Sequence, residues 1–288
     1  MQVHSFLHSD TETYTHVLAD TQKQVCALID PVLDFDAKSG HTISKSVDEV
    51  IDFVREQGWE LLYIIETHAH ADHLSAAMHV KEALGGQLVI GQHITEVQKT
   101  FKKIFNFDTS FRTDASQFDI LTNDGDTLKV GDILITVMHV PGHTQADTAY
   151  IAADEEKTVV FVGDTLFAPD VGTARCDFPG GDAKTLYQSI QKLLALPDDT
   201  IIYLCHDYPS AGRKHCPTTT VAAQKLGNIH VKDGINEAEF VQMRERRDAT
   251  LEMPRLIIPA VQVNIDAGHL PDPEANGVRY LKVPLNAL

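Results

Sequence analysis

The stretch Leu61-Leu62-Tyr63-Ile64-Ile65-Glu66-Thr67-His68-Ala69-His70-Ala71-Asp72-His73 changes character at its midpoint. An apolar run that ends in polar residues reads as a buried strand delivering a loop at its tip. Four side chains able to bind a metal then fall within six residues, at 68, 70, 72 and 73. Imidazole and carboxylate together suit zinc, iron or manganese. A His-rich surface turn is the plain alternative. The rest of the chain argues against it by supplying further ligands in matching settings.

His143 follows the strand expected over 133–140, in the turn Pro141-Gly142-His143-Thr144. Asp164 follows the strand expected over 159–162, in Gly163-Asp164-Thr165. His206 follows the short buried strand expected over 201–204, in Cys205-His206-Asp207-Tyr208. Four strand ends therefore carry candidate ligands. Tips on one edge of a sheet can converge on a point, and rigid strands hold ligands more closely than free loops do. Each short motif alone is weak. The ordered set, H-x-H-x-D-H, then Gly-His, then Gly-Asp-Thr, then His, is specific.

The remaining pattern alternates strands and helices. Residues 25–29 and 87–91 read as strands, and 150–153 with 159–162 as a hairpin. Residues 46–57 read as a helix stopped by Gly58, 74–84 as a helix ended by Gly85-Gly86, and 183–196 as a helix before Pro197. Such alternation argues for sheets covered by helices.

A chain of 288 residues can bury a substantial core. Its formal net charge of −17 argues against nucleic-acid or anionic-membrane partners. No apolar stretch approaches the roughly 20 residues that span a bilayer. Met1 to Asp10 lacks the basic and apolar regions of a secretory signal. Cys26, Cys176, Cys205 and Cys216 form no C-x-x-C pair, so they read as reduced thiols of a cytosolic (cytoplasmic) protein.

The ordered ligand set resembles that of the metallo-β-lactamase superfamily, over about residues 10–230. The resemblance implies an α+β fold, an αββα sandwich of two mixed sheets flanked by helices, with the metal at one edge of the sheets. In binuclear members, residues matching His68, His70 and His143 hold one metal, and those matching Asp72, His73 and His206 the other. The aspartate matching Asp164 bridges both. Lactamases with a cysteine ligand carry it where this chain has Asp164, which argues against antibiotic hydrolysis.

Within the superfamily, Gly163-Asp164-Thr165-Leu166-Phe167, Gly172-Thr173-Ala174-Arg175-Cys176-Asp177-Phe178, and Cys205-His206-Asp207-Tyr208 with Gly212-Arg213 resemble persulfide dioxygenases. Asn228-Ile229-His230-Val231 is similar to their bacterial members. That resemblance implies one Fe(2+) per chain, held by His68, His143 and Asp164. It implies oxidation of a low-molecular-weight thiol persulfide, typically glutathione persulfide, with O2 and water to sulfite and free thiol. Two histidines and one carboxylate with open positions opposite suit oxygen-activating iron. His70, Asp72, His73 and His206 then orient the iron ligands by hydrogen bonds. The alternative is a two-Zn2+ thioester hydrolase resembling glyoxalase II, or a lactone hydrolase, with a metal-bridging hydroxide. A purely structural metal site is the third class, and it would be closed by four protein ligands.

Three flanking residues are candidates for substrate binding. Arg175 either pairs with Asp177 or stands at the mouth and holds a carboxylate of glutathione. Tyr208 is expected to face the site. Arg213 is either a solvated charge or a substrate contact. His139 is expected to support the Pro-Gly-His turn, and His79 to be a packing residue on a helix. The cluster Arg244-Glu245-Arg246-Arg247-Asp248 reads as a solvated helix face. Residues 1–240 are taken as the catalytic domain. Residues 241–288 are taken as a C-terminal arm, extended after Glu252, that packs on the domain or on the partner subunit of a homodimer.

Overall fold

The computed structural model describes residues 1–210 and 212–287. The first half holds strands β1 (Gln2–His8), β2 (Thr13–Asp20), β3 (Val25–Ile29), β4 (Val32–Asp36) and β5 (His41–Ile43), then helix α1 (Lys45–Gln57). It continues with β6 (Glu60–Ile65), β7 (Leu74–Ser75), α2 (Ala77–Leu84), β8 (Gln87–Gly91), α3 (Ile94–Ile104) and β9 (Ile120–Thr122). The second half begins with β10 (Thr127–Val130), β11 (Ile133–His139), β12 (Thr148–Ala153) and β13 (Thr158–Phe161). There follow α4 (Ala183–Leu194), β14 (Ile201–Tyr203), β15 (Thr218–Thr220), α5 (Val221–Gly227), α6 (Glu237–Asp248) and α7 (Ile257–Asn264).

Two six-stranded mixed sheets result, in the orders β1-β2-β3-β6-β8-β9 and β10-β11-β12-β13-β14-β15. Three apolar layers hold them. Leu18, Ile29, Ile65 and Val89 of the first sheet meet Val130, Ile135, Tyr150 and Phe161 of the second. The outer face of the first sheet buries Val50, Val54, Val80 and Val97 from helices α1 to α3. The outer face of the second buries Leu186, Ile190, Val221 and Phe240 from α4 to α6. This is the αββα sandwich. The helices follow their periodicity: in α1, Val47, Val50, Ile51 and Val54 form the buried stripe, and Gly58 ends it at φ +69°.

Parallel pairing aligns the functional tips. β3, β6 and β8 run parallel, so Asp30 and the 66–73 segment leave at the same edge. β13 and β14 run parallel, so Asp164 and His206 leave together as well. An isolated bridge between Thr13 and His206 ties the β1–β2 hairpin of the first sheet to the tip of β14 in the second.

Four expectations need correction. Leu74 and Ser75 are a strand paired with Val32 and Leu33, and the helix begins only at Ala77. The boundary drawn at 240 falls inside α6, where Phe240 and Arg244 are both buried. The chain beyond Glu252 is not extended throughout, because α7 forms and packs against β7 of the same chain. Arg244 and Asp248 are not solvated. Arg244 is 1% exposed and donates to Asp248 Oδ1 and, at 3.1 Å, to the Thr173 carbonyl. None of the described helices is long and apolar enough to cross a membrane.

His16 on β2 is expected to make the fold acid-sensitive. Its Nε2–H donates to the Leu204 carbonyl at 2.9 Å, and Nδ1 faces the Ser5 hydroxyl at 2.9 Å. Burial holds its pKa down, to about 4. The folded pKa lies below the unfolded one, so the stability is present above about pH 6.5 and is lost as pH falls towards 4. The full loss is on the order of 3 kcal/mol. Melting temperatures measured between pH 7 and 4 are expected to fall less steeply for His16→Gln. Parallel curves for the two proteins would remove His16 as the cause.

Candidate metal centre

The ligand-bearing tips are held by close backbone contacts. Gly142, before His143, has φ +142°, and a Cβ there would fall on the backbone of Leu186 at the start of α4. Gly163, before Asp164, has φ +52°, and its Cβ would press on Thr67. Each glycine admits the close approach that brings its following ligand in. The turn after Gly142 is closed by Asp147, whose carboxylate accepts from the Thr144 N–H at 2.6 Å and its hydroxyl at 2.7 Å. Burial pushes the Asp147 pKa up to about 6.

The seven candidate ligands all reach one edge, in two groups that Asp164 joins, since it also groups with Cys205 and His206. In each, every ligand atom lies within 4.8 Å of the others. One group is His68, His143 and Asp164, and the other is His70, Asp72, His73 and His206. His70 stands between the sets, its ring centroid 4.0 Å from that of His68 and 4.2 Å from that of His73.

A hydrogen-bond partner fixes one nitrogen of each imidazole. Nδ1 of His68 donates to Thr67 Oγ1 at 3.0 Å, and Nδ1 of His143 to the Arg175 carbonyl at 2.8 Å. Nδ1 of His73 donates to Asp72 Oδ2 at 3.3 Å, and Nδ1 of His206 to Thr13 Oγ1 at 3.2 Å. His70 is turned the other way, with Nε2 donating to Asp30 Oδ1 at 3.0 Å. Asp30 is itself held by the Thr67 N–H at 2.8 Å and its hydroxyl at 2.9 Å. Burial and the charge on His70, opposed by Asp72, leave His73 at about 4, and burial together with charge on His70 takes His68 well below 6.5. Both are neutral imidazoles at pH 7, which is the form that binds metal.

The atoms left over fit a metal ion. His68 Nε2, His70 Nδ1, His73 Nε2, His206 Nε2 and Asp164 Oδ1 are buried and have no hydrogen-bond partner. They converge: His68 Nε2 lies 3.8 Å and His143 Nε2 3.6 Å from Asp164 Oδ2, and His206 Nε2 lies 3.3 Å from Asp164 Oδ1 and 3.2 Å from Asp72 Oδ2, carboxylates that push the His206 pKa well above 6.5 against burial. Lone pairs crowded together in a dry site need a cation between them. Ligands about 2.1 Å from one tetrahedral ion lie about 3.4 Å apart, which is the spacing found.

A cavity of about 390 Å³ opens on this centre, with Asp72, His143 and Asp164 in its wall. Phe167, Val171, Phe178 and Leu251 supply apolar wall, and Arg175, Arg244, Arg247 and Arg255 bring positive charge. Tyr208 lines the cavity, its ring stacked on His206 with centroids 5.6 Å apart. Arg175 lines it too, but Nε and Nη2 hold Asp177 at 2.6 Å each and Nη1 the Glu252 carbonyl at 2.6 Å. Its clearest link to the centre is its carbonyl, which fixes His143. Arg213 is a correction. It is not in the cavity wall, because its guanidinium is taken by Asp207 at 2.6 and 2.7 Å and Asp170 at 2.8 Å.

His139 does brace the Pro-Gly-His turn, through the Gln145 carbonyl at 2.9 Å, and His79 pairs with Asp48 at 2.8 Å. Sequence reasoning missed Asp30, Glu66, Arg247 and Asn264. Asp30 follows the tip of β3 and obeys the strand-end rule that found the other ligands, so that signal was present. Cys205, read as an ordinary buried thiol, lies within 4.8 Å of ligand atoms of Asp164 and His206.

The profile of the metallo-β-lactamase superfamily matches residues 14–206. A probable metallo-hydrolase of Burkholderia pseudomallei is 51% identical over 100% of both chains. Glyoxylase B2 of Dictyostelium discoideum is 44% identical over 100% of this chain and 98% of its own. The human mitochondrial persulfide dioxygenase ETHE1 is 32% identical over 89% of this chain and 84% of its own. The crystal structure of ETHE1 from Myxococcus xanthus superposes with a TM-score of 0.74 at 30% identity, over 93% of this chain and 100% of that one. A profile match across more than half of the residues, on an αββα sandwich that gathers seven metal-binding side chains at one edge, places the chain in a family of metal-binding proteins: it belongs to the metallo-β-lactamase superfamily.

Proposed function

We propose that this protein is a persulfide dioxygenase. It would use one ferrous iron, held by His68, His143 and Asp164, and its substrate would be a small carboxylate-bearing thiol persulfide such as glutathione persulfide. The reading rests on the two-His, one-carboxylate group His68, His143 and Asp164, of which His143 and Asp164 line the cavity. The resemblance to ETHE1 in sequence and fold supports it. The balanced reaction takes the persulfide, O2 and water to free thiol, sulfite and two protons.

When bound, iron supplies the one-electron chemistry by which dioxygen reacts with a sulfur substrate. The chain's own residues do the rest. Phe167, Val171 and Phe178 exclude water from the reacting sulfur. Tyr208, a neutral phenol at pH 7, adds a hydroxyl to the cavity wall beside His206. Arg247 lines the cavity, is exposed, and has no hydrogen-bond or ion-pair partner for its guanidinium among the described residues. It is the free cation for a substrate carboxylate. Arg255 is the second, sharing only Asp10 at 3.0 Å, both largely exposed. Arg247→Ala is expected to raise KM for glutathione persulfide about 10-fold, the share of one charge-assisted hydrogen bond, with iron content unchanged. An unchanged KM would move the anchor elsewhere.

A second reading is a binuclear hydrolase of thioesters. The full set of seven ligands and the 51% and 44% identical relatives, named a probable metallo-hydrolase and a glyoxylase, favour it. The test is a side-by-side assay of purified protein loaded with iron or with zinc. Oxygen uptake with sulfite formation from glutathione persulfide, in the iron form alone, is the expected result. Thioester hydrolysis by the zinc form with no oxygen uptake by the iron form would overturn the dioxygenase reading.

A further inference from the structure

The C-terminal helix reaches the histidine segment through one side chain. Asn264, the last residue of α7, is 4% exposed. Its Nδ2 donates one N–H to the His70 carbonyl and the other to the His73 carbonyl, each at 2.8 Å. Its Oδ1 accepts the Ser75 N–H at 2.8 Å. These bonds fix the amide's orientation, since the reverse would set its oxygen against two carbonyls. Residues 66–73 form no helix or strand, yet His70 and His73 are at most 1% exposed. An irregular buried segment must find partners for its backbone, and this one finds two of them on a helix about 190 residues away.

The same bonds extend to the ligands. Ser75 also bonds Glu66, and Glu66 lies 3.4 Å from His70 Nε2. The packing of α7 is correspondingly deep. Ala260 and Val263 share a cluster with Leu74, while Ile257, Val261 and Ile265 join the core of the first sheet.

We infer that Asn264 is a positioning residue for the metal centre, and that docking of the C-terminal helix and metal binding are coupled. By holding the carbonyls of His70 and His73, Asn264 sets the direction of two imidazoles whose free nitrogens face the centre. Partners that orient ligands typically account for about 10- to 100-fold in metal affinity. Coupling is reciprocal, so a metal that gains affinity from α7 must in turn hold α7 down. The inference is the same for iron and zinc, and it stands whether the enzyme is a dioxygenase or a hydrolase.

The test uses the full chain and Co(II) as a spectroscopic probe. Hydrogen exchange of residues 257–264 in the wild-type protein is expected to slow on cobalt loading. Asn264→Ala is expected to bind Co(II) about 10- to 100-fold more weakly by chelator competition, with altered visible bands. Its far-ultraviolet circular dichroism should match the wild type. In the variant, exchange in α7 should no longer respond to the metal. Cobalt affinity within twofold of wild type in a folded variant would overturn the inference. So would wild-type exchange in α7 that ignores metal, a result that does not depend on the variant folding.

Discussion

Replacing Asp164 by Ala is expected to abolish iron binding and oxygen uptake together. Asp164 is the carboxylate shared by His68, His143 and His206, at 3.8, 3.6 and 3.3 Å. Without it, His68 and His143 lose the carboxylate they face, and a dication loses the only carboxylate in the triad. His68→Ala and His143→Ala each remove a further third of the three-ligand set and should give the same loss. His73→Ala should cost less, about 10- to 100-fold in affinity or activity, if that side chain orients the centre without binding its metal. Circular dichroism controls for folding and elemental analysis gives the iron. Equal iron loss from His73→Ala and His68→Ala would contradict the mononuclear assignment.

The largest effect on stability is expected at Arg244. Its guanidinium donates to Asp248 Oδ1 at 2.9 and 2.5 Å, and Asp248 Oδ2 accepts the Cys176 N–H at 2.8 Å. Removing one partner of a buried pair leaves an uncompensated charge, at a cost of about 3–5 kcal/mol. Arg244→Ala should therefore lower Tm by roughly 10 °C. The double change Arg244→Met with Asp248→Leu should recover most of that, because neither charge is left buried. The pair also anchors the 173–176 segment, whose Arg175 carbonyl fixes His143. Activity is expected to fall in the single variant even below its melting temperature. A Tm loss under about 1 kcal/mol equivalent would show that the pair is not a stability determinant.

The strand ends that carry the seven candidate ligands were legible because they rest on local pattern, and their order carried the resemblance that implied the sandwich. A buried strand ending in a polar tip declares itself in the sequence around 61–73, and so do Gly142-His143 and Gly163-Asp164. Long-range partners have no such local signal. Nothing near Asn264 announces that its amide serves carbonyls at 70 and 73. Nothing in the mixed charges of 244–248 announces that one Arg–Asp pair turns inward while Arg247 stays out. Leu74-Ser75 was read as helix because its apolar residue continues the α2 pattern, whereas pairing with Val32 and Leu33 decides its backbone. Arg213 follows a glycine in a polar loop, and only the fold brings Asp207 and Asp170 around its guanidinium.

The most direct measurement of the central claim is metal content and activity on the same sample, purified without oxygen from cells given both iron and zinc. One iron per chain, with oxygen uptake on glutathione persulfide that scales with iron and is lost on exchange to zinc, is the expected result. Two zincs per chain, with catalysis that survives removal of iron, would contradict it.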